Sequence, residues 1–192
     1  MLLGPNGSGK STLIRCLGTA LRPHHGTVHL GGHNLWEERA ALRSRIAYLG
    51  HQPHLYDDLS GPENLSVWAR LGGYTPDIPA LLARVGLDPD RRDPVRTFSA
   101  GMRRRLALAR ILLKSPNLVL LDEPFTALDP AGRLLLMEVI RSLQDSGATL
   151  LMATHHPSVA RQVCGSALIL DAGKVVYSGA IDGMPESVMG AS

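Results

Sequence analysis

The stretch Gly4-Pro5-Asn6-Gly7-Ser8-Gly9-Lys10-Ser11-Thr12 carries residue types that suit one task, the holding of a polyphosphate. A glycine, four residues and then Gly-Lys-Ser is the spacing of a phosphate-binding P-loop. Gly4, Gly7 and Gly9 allow backbone conformations closed to residues with a Cβ, so successive N–H groups can turn inward onto phosphate oxygens. Lys10 brings a mobile positive charge to the β- and γ-phosphates, and the Ser11 hydroxyl is a ligand for Mg²⁺. Apolar positions at Leu13, Ile14, Leu17 and Leu21 predict a helix behind the loop. Its positive dipole end would face the same phosphates.

Transfer of a phosphoryl group to water also needs a metal ligand, a group that holds the attacking water and a sensor of the γ-phosphate. Four residues further along the chain have the right types. Asp122 can hold Mg²⁺ opposite Ser11, directly or through water, and Glu123 is placed to polarise the water. Gln52 could reach both metal and water, and His155 could donate a hydrogen bond to the γ-phosphate. Each follows an apolar, strand-like run. A parallel sheet would gather them at the carboxyl ends of its strands, where such sheets bind ligands.

The elements that must position these residues can be read in order. His25 to Gly32 alternates like a short strand ended by glycines, and Arg45 to Gly50 reads as another. The recurrence of His25, His29 and His33 lacks the helical context of a metal site. Between Tyr56 and Pro116 the pattern is helical, with starts at Pro62-Glu63, near Ile78 and near Ser99. After Asn117, Leu118 to Leu121 is a continuous apolar run ending in Asp122-Glu123, the mark of a buried parallel strand. Asp129-Pro130 opens a helix with a capping acid and a proline at the first position, and that helix buries Leu135, Leu136, Val139, Ile140 and Leu143. Thr149 to Thr154 is a second buried strand. Ala167–Asp171 and Lys174–Tyr177 flank Ala172-Gly173 as a closing hairpin. The tail from Pro185 to Ser192 is small, polar and expected to be loose.

The 192 residues, 44% hydrophobic and 19% charged, can bury a sizeable core. The fold expected is α/β, a P-loop nucleoside-triphosphatase core with an inserted α-helical subdomain. The net charge of +3 is too mild to suggest a nucleic-acid face. The two cysteines, Cys16 and Cys164, have no metal or redox spacing. No apolar window reaches the length of a membrane span, and the N-terminus does not read as a signal peptide.

Taken together, the motifs resemble those of the ATP-binding subunits of ABC transporters over nearly the whole chain. Phe98-Ser99-Ala100-Gly101-Met102 is similar to the family's signature, usually Leu-Ser-Gly-Gly-Gln, and Arg103 to Arg110 is a typical continuation. Gln52 matches the Q-loop, Ala127-Leu128-Asp129 the D-loop and His155 the switch histidine. The resemblance implies one ATP-binding domain over 1–192, with a RecA-like core at 1–55 and 116–184 and a helical subdomain at about 56–115. It implies ATP hydrolysis with Mg²⁺, and a head-to-tail dimer in which Ser99 and Gly101 of one subunit reach the nucleotide of the other, beside Asp129. It also implies integral membrane permease subunits as partners, at the cytoplasmic face of the membrane, and no nucleic acid. Within the family, Tyr48 to Pro53, Leu59 to Leu65 and the Ser99-Ala100-Gly101 arginine run resemble the haem exporters of cytochrome c maturation. Other exporters of drugs, lipids or polysaccharides are the alternative.

Ala100 and Met102 depart from the usual signature, so the glutamine amide is missing while the serine and second glycine remain. Family members also carry strands and an adenine-stacking aromatic before the P-loop, where this sequence has only Met1-Leu2-Leu3. A late start or a truncation is therefore expected, with weak nucleotide affinity and an exposed sheet edge.

Overall fold

A computed structural model describes residues 1–185 of the chain; of the expected loose tail, residues 186–192 lie outside the described residues. The chain divides into two compact units. The first comprises Met1–Gly50, Asn117–Pro124 and the chain from Thr149 onward; the second comprises His51–Pro116 and Phe125–Ala148.

The first unit is built on six strands: β1 (Leu2–Leu3), β4 (Ile46–Leu49), β5 (Leu118–Asp122), β6 (Thr149–Ala153), β7 (Ser166–Asp171) and β8 (Lys174–Ala180). Their order is β4-β5-β6-β1-β7-β8, parallel throughout except for the β7–β8 hairpin. The apolar runs explain the parallel strands: Val119, Leu120 and Leu121 are all buried, as are Met152 and Ala153. Strand β1 lies inside the sheet between β6 and β7, so the edges are β4 and β8. The outer strand β8 leaves Val175 and Val176 exposed.

Helix α1 (Lys10–Leu17) packs on this sheet through Ile14, which is fully buried with Leu2, Leu120, Ala153 and Leu170 in one apolar cluster. Each such side chain contributes about 1.5–3 kcal/mol by leaving water. The helix stops at Leu17, and Leu21 lies beyond it, exposed. The expected strand at 25–32 is shorter than its pattern. Only β2 (His29–Leu30) forms, paired with β3 (His33–Asn34), and Gly31-Gly32 makes the turn between them rather than an end. Two short helices, α2 (Arg39–Leu42) and α7 (Pro157–Ala160), complete the unit among the described residues.

The second unit is helical: α3 (Gly61–Gly72), α4 (Ile78–Arg84), α5 (Ala100–Leu112) and α6 (Pro130–Asp145). Each starts on a side-chain cap. Ser60 and Glu63 form a capping box on α3, Asp77 accepts from Ala80 N–H, Ser99 from Met102 N–H and Asp129 from Gly132 N–H. The two hydrogen bonds from Ser60 to the Glu63 carboxylate hold it below the ordinary carboxylate range. Helix α6 buries Leu136, Met137, Val139, Ile140 and Leu143, whereas Leu135 is half-buried and Leu134 exposed.

Candidate functional site

Strand β1 delivers the chain at Leu3 into a loop, residues 4–9, that ends on α1. The loop is tightly determined. Gly4 stands at φ 143° with Leu170 O only 2.1 Å from where a Cβ would sit, so no other residue fits. Ser8 N–H donates to Pro5 O (3.2 Å), and Gly9, left-handed at φ 104°, accepts the first helical bond from Leu13 N–H (2.9 Å). The turn of the β7–β8 hairpin braces the loop from outside, Gly173 N–H donating to Ser8 O at 3.0 Å. The sequence marks that hairpin turn but carries no local signal of the brace.

The loop opens on a pocket of about 240 Å³ lined by Asn6, Gly7, Gly9, Lys10, Ser11, Thr12, Asp122, Glu123 and His155. Its residues come from distant parts of the chain through strand register. Asp122 ends β5 opposite Ala153 of β6, and Glu123 N–H continues that ladder to Ala153 O (2.9 Å). The strand ends therefore bring Asp122-Glu123 and Thr154-His155 to one edge. Glu123 is itself left-handed, φ 49°, an uncommon state for a residue with a side chain. Its carboxylate meets His155 twice: Oε2 accepts from the His155 backbone N–H (3.3 Å), and Oε1 lies 3.6 Å from Nε2.

The residues fit a bound polyphosphate and its metal. Lys10 is buried to 9% exposure and donates to Gly4 O (2.7 Å) and Pro5 O (2.9 Å), which leaves one of its three N–H bonds for a ligand. Ser8 Oγ is buried without a hydrogen-bond partner, a polar atom that a ligand could satisfy. The oxygen donors Ser11 and Asp122 line one pocket and suit a hard divalent cation. The volume falls below the roughly 300–1,000 Å³ of sites that enclose whole ligands. It suits a phosphate tail with its metal.

Of the remaining candidates, Pro5 is exposed in the loop and Ser8 buried within it. Gln52, Ser99, Gly101 and Asp129 belong to the second unit. Gln52 is exposed in the irregular stretch before α3. Ser99 is the cap of α5, with Gly101 in its first turn. Asp129 caps α6 and takes a second hydrogen bond from Arg105 Nη2 (3.2 Å). The Gly132 N–H, helped by Arg105, holds the Asp129 carboxyl below its ordinary range.

The parallel sheet, the glycine loop and the helix behind it define a P-loop nucleotide-binding fold. Residues 1–126 match the family described as ABC transporter. The chain belongs to the ABC transporter family, as an ATP-binding subunit. It is 41% identical over 186 residues to the daunorubicin resistance ATP-binding protein DrrA3 of Streptomyces coeruleorubidus, covering 94% of this chain and 59% of that protein. It is 36% identical to the Nod factor export ATP-binding protein I of Cupriavidus pinatubonensis, covering 98% and 60%. The chain thus spans about three fifths of these relatives' length. Among solved structures, the ATP-binding cassette MJ0796, a dimer in a post-hydrolysis state bound to ADP and Pi, superposes with a TM-score of 0.83 at 25% identity, covering 95% of this chain and 85% of that one. These relatives are drug-resistance and Nod factor export proteins. They do not support the narrower resemblance to haem exporters.

Proposed function

We propose that the chain hydrolyses MgATP to drive an exporter of drug-like or other amphiphilic molecules. The observation that carries this reading is the convergence of Lys10, Ser11, Asp122, Glu123 and His155 on one pocket. Lys10 and the loop N–H groups bind the phosphates. Ser11 and Asp122 would hold Mg²⁺, with Gln52 as a further ligand by its motif, and the ion would neutralise phosphate charge. Glu123 orients the attacking water and accepts its proton, and the His155 imidazole donates to the γ-phosphate. Ser99 and Gly101, at the start of α5, serve the nucleotide of a second subunit in a head-to-tail pair, and Asp129 lies at that contact. The MJ0796 dimer lends the pairing support.

The RecA-like core at 1–55 and 116–184 and the helical subdomain at about 56–115 then act as one ATP-binding domain. No helix among the described residues is long and apolar enough to cross a membrane. In this reading the domain works with permease subunits at their cytoplasmic face, which the match to the ABC transporter family supports. The names of the relatives favour export of drugs or Nod factors over export of haem.

Purification of the tagged protein from its own membranes in mild detergent, with mass spectrometry of what accompanies it, tests the assignment. A drug-exporter type permease and drug-stimulated ATPase activity are the expected result. Recovery of cytochrome c maturation subunits would restore the haem reading. A preparation without MgATP hydrolysis in the presence of its permease would refute the enzymatic one.

A further inference from the structure

Gln52 lies in a stretch, residues 51–60, that has neither helix nor strand. Among the described residues its side chain makes no hydrogen bond, and the next fixed point along the chain is His54. That residue is left-handed, φ 49°, without being glycine. A backbone held in this region persists only where neighbours determine it. The neighbour here is Arg110 of α5, whose Nη1 donates to His54 O at 3.0 Å. The same guanidinium stacks 4.9 Å over the ring of Trp68 on α3, and Trp68 in turn packs against Tyr56 with ring centroids 6.1 Å apart. No carboxylate pairs with Arg110 among the described residues. Burial pushes its guanidinium down from its ordinary value, although an arginine stays charged. Its charge is therefore met by one carbonyl and one aromatic face. This arrangement uses the planar fork of arginine to aim at a backbone atom while lying flat on a ring.

We propose that Arg110 is the positioning residue for Gln52, fixing the left-handed turn at His54 and so tying the Gln52 stretch to α5. The inference rests on the proposed ATPase reading for its functional consequence. Helix α5 is capped at Ser99, and Arg110 lies eleven residues further on, about 16 Å along the helix axis at 1.5 Å per residue. A shift of α5 is transmitted to His54 O through one hydrogen bond. Tyr56 is separately clamped, its N–H and C=O both bonded to the Asn64 side chain at 2.8 and 3.0 Å. The bend between these two anchors has little freedom, and Gln52 precedes it by two residues, with Pro53 restricting the backbone between them.

The test compares the full chain, Arg110→Met, Arg110→Lys and Gln52→Ala by amide hydrogen exchange and by steady-state ATP hydrolysis. In Arg110→Met the Tyr56 amide, the hydrogen-bonded N–H nearest the lost anchor, should exchange about tenfold faster, with α3 and α6 unchanged, because one local anchor is lost. Turnover should fall about tenfold, as in Gln52→Ala, with KM for ATP within about twofold, since a misplaced Gln52 affects the transition state more than binding. Arg110→Lys, which keeps the cation but loses the planar fork that bonds His54 O while stacking on Trp68, should recover only part of either. Unchanged exchange at Tyr56, or faster exchange spread through α3 and α5, would overturn the proposal. If the wild type does not hydrolyse ATP, the ATPase reading fails and the exchange result alone decides the role of Arg110. If Gln52→Ala is slow while Arg110→Met turns over normally, the ATPase reading stands and the positioning role falls.

Discussion

The Glu123 carboxylate is held against His155 from two sides, by the backbone N–H at 3.3 Å and by Nε2 at 3.6 Å. The contact follows from the register of β5 and β6, which sets Asp122 opposite Ala153, and from the left-handed turn that Glu123 makes directly after its strand. In the proposed mechanism a carboxylate so placed accepts a proton from a water in the pocket, and His155 serves the terminal phosphate. Glu123→Gln keeps the size and one acceptor oxygen and removes the base. Single-turnover phosphate release should slow by about 10²–10⁴-fold, the usual contribution of a general base. ATP binding should survive and an ATP-bound dimer should accumulate on gel filtration. Turnover within a few-fold of wild type would remove Glu123 from the mechanism.

Gly4→Ala is expected to damage both stability and binding. The new Cβ would stand 2.1 Å from Leu170 O and 2.7 Å from Ser8 Oγ, at a φ of 143° that side chains avoid. The carbonyl belongs to β7 and cannot swing aside, so the loop must move. Such strained positions cost about 1–3 kcal/mol, read as a lower urea midpoint with an unchanged slope. Because Lys10 is anchored on Gly4 O, nucleotide affinity measured by calorimetry should fall in the same variant. Gly7→Ala is the control: no atom lies within 4 Å of its Cβ position, and only its φ of 80° opposes the change.

These contacts show which parts of the site could be read from sequence. The P-loop, Asp122-Glu123 and the capped start at Asp129-Pro130 were legible because each is a local pattern. A continuous apolar run must be a buried strand, and a capping acid before proline must open a helix. The strand over 25–32 was overestimated because alternation alone does not supply a partner. Leu21 was assigned to a helical face that ends at Leu17, where Gly18 N–H already closes the turn on Ile14 O. The Gly173–Ser8 brace and the Arg110–His54 bond join residues far apart in the chain, and no periodicity announces them. The cargo was illegible for another reason: the motifs read here are those of phosphate and metal binding and carry no cargo chemistry, so the short haem-exporter resemblances had nothing to anchor them.

Asp129 should make stability depend on pH in the acid range. Its native pKa is lowered first by the Gly132 N–H and then by Arg105, so the ionised form is the one that folding favours. The unfolded chain binds the proton more readily than the native one. The contribution is therefore complete above the unfolded pKa and is lost as the pH falls through the lower native value. Asp129→Ala should lower the melting temperature at neutral pH, and the gap from wild type should narrow steadily on acidification. A gap that stays constant to the acid limit would mean that shape, and not charge, supplies the cap.

Asn64, in the first turn of α3, should be the costliest single position for the stretch before that helix. It is fully buried, accepts from Tyr56 N–H at 2.8 Å and donates to the carbonyls of Tyr56, Leu59 and Ser60 at 3.0, 3.3 and 3.0 Å. Asn64→Leu keeps the approximate size but leaves these groups unpaired, for about 2–4 kcal/mol when each unsatisfied buried group costs roughly 1–3 and some regain water. Asn64→Asp should be worse at neutral pH. It preserves the acceptor for Tyr56 N–H and points a carboxylate at three carbonyl oxygens in a dry site. Burial and those oxygens would raise the native pKa of the introduced acid, so its penalty is smallest below the ordinary carboxylate pKa and grows with rising pH until the raised value is passed. Urea midpoints for both variants between acid and neutral pH decide it. A flat profile for Asn64→Asp would show that the stretch opens to water around residue 64 and does not depend on this clamp.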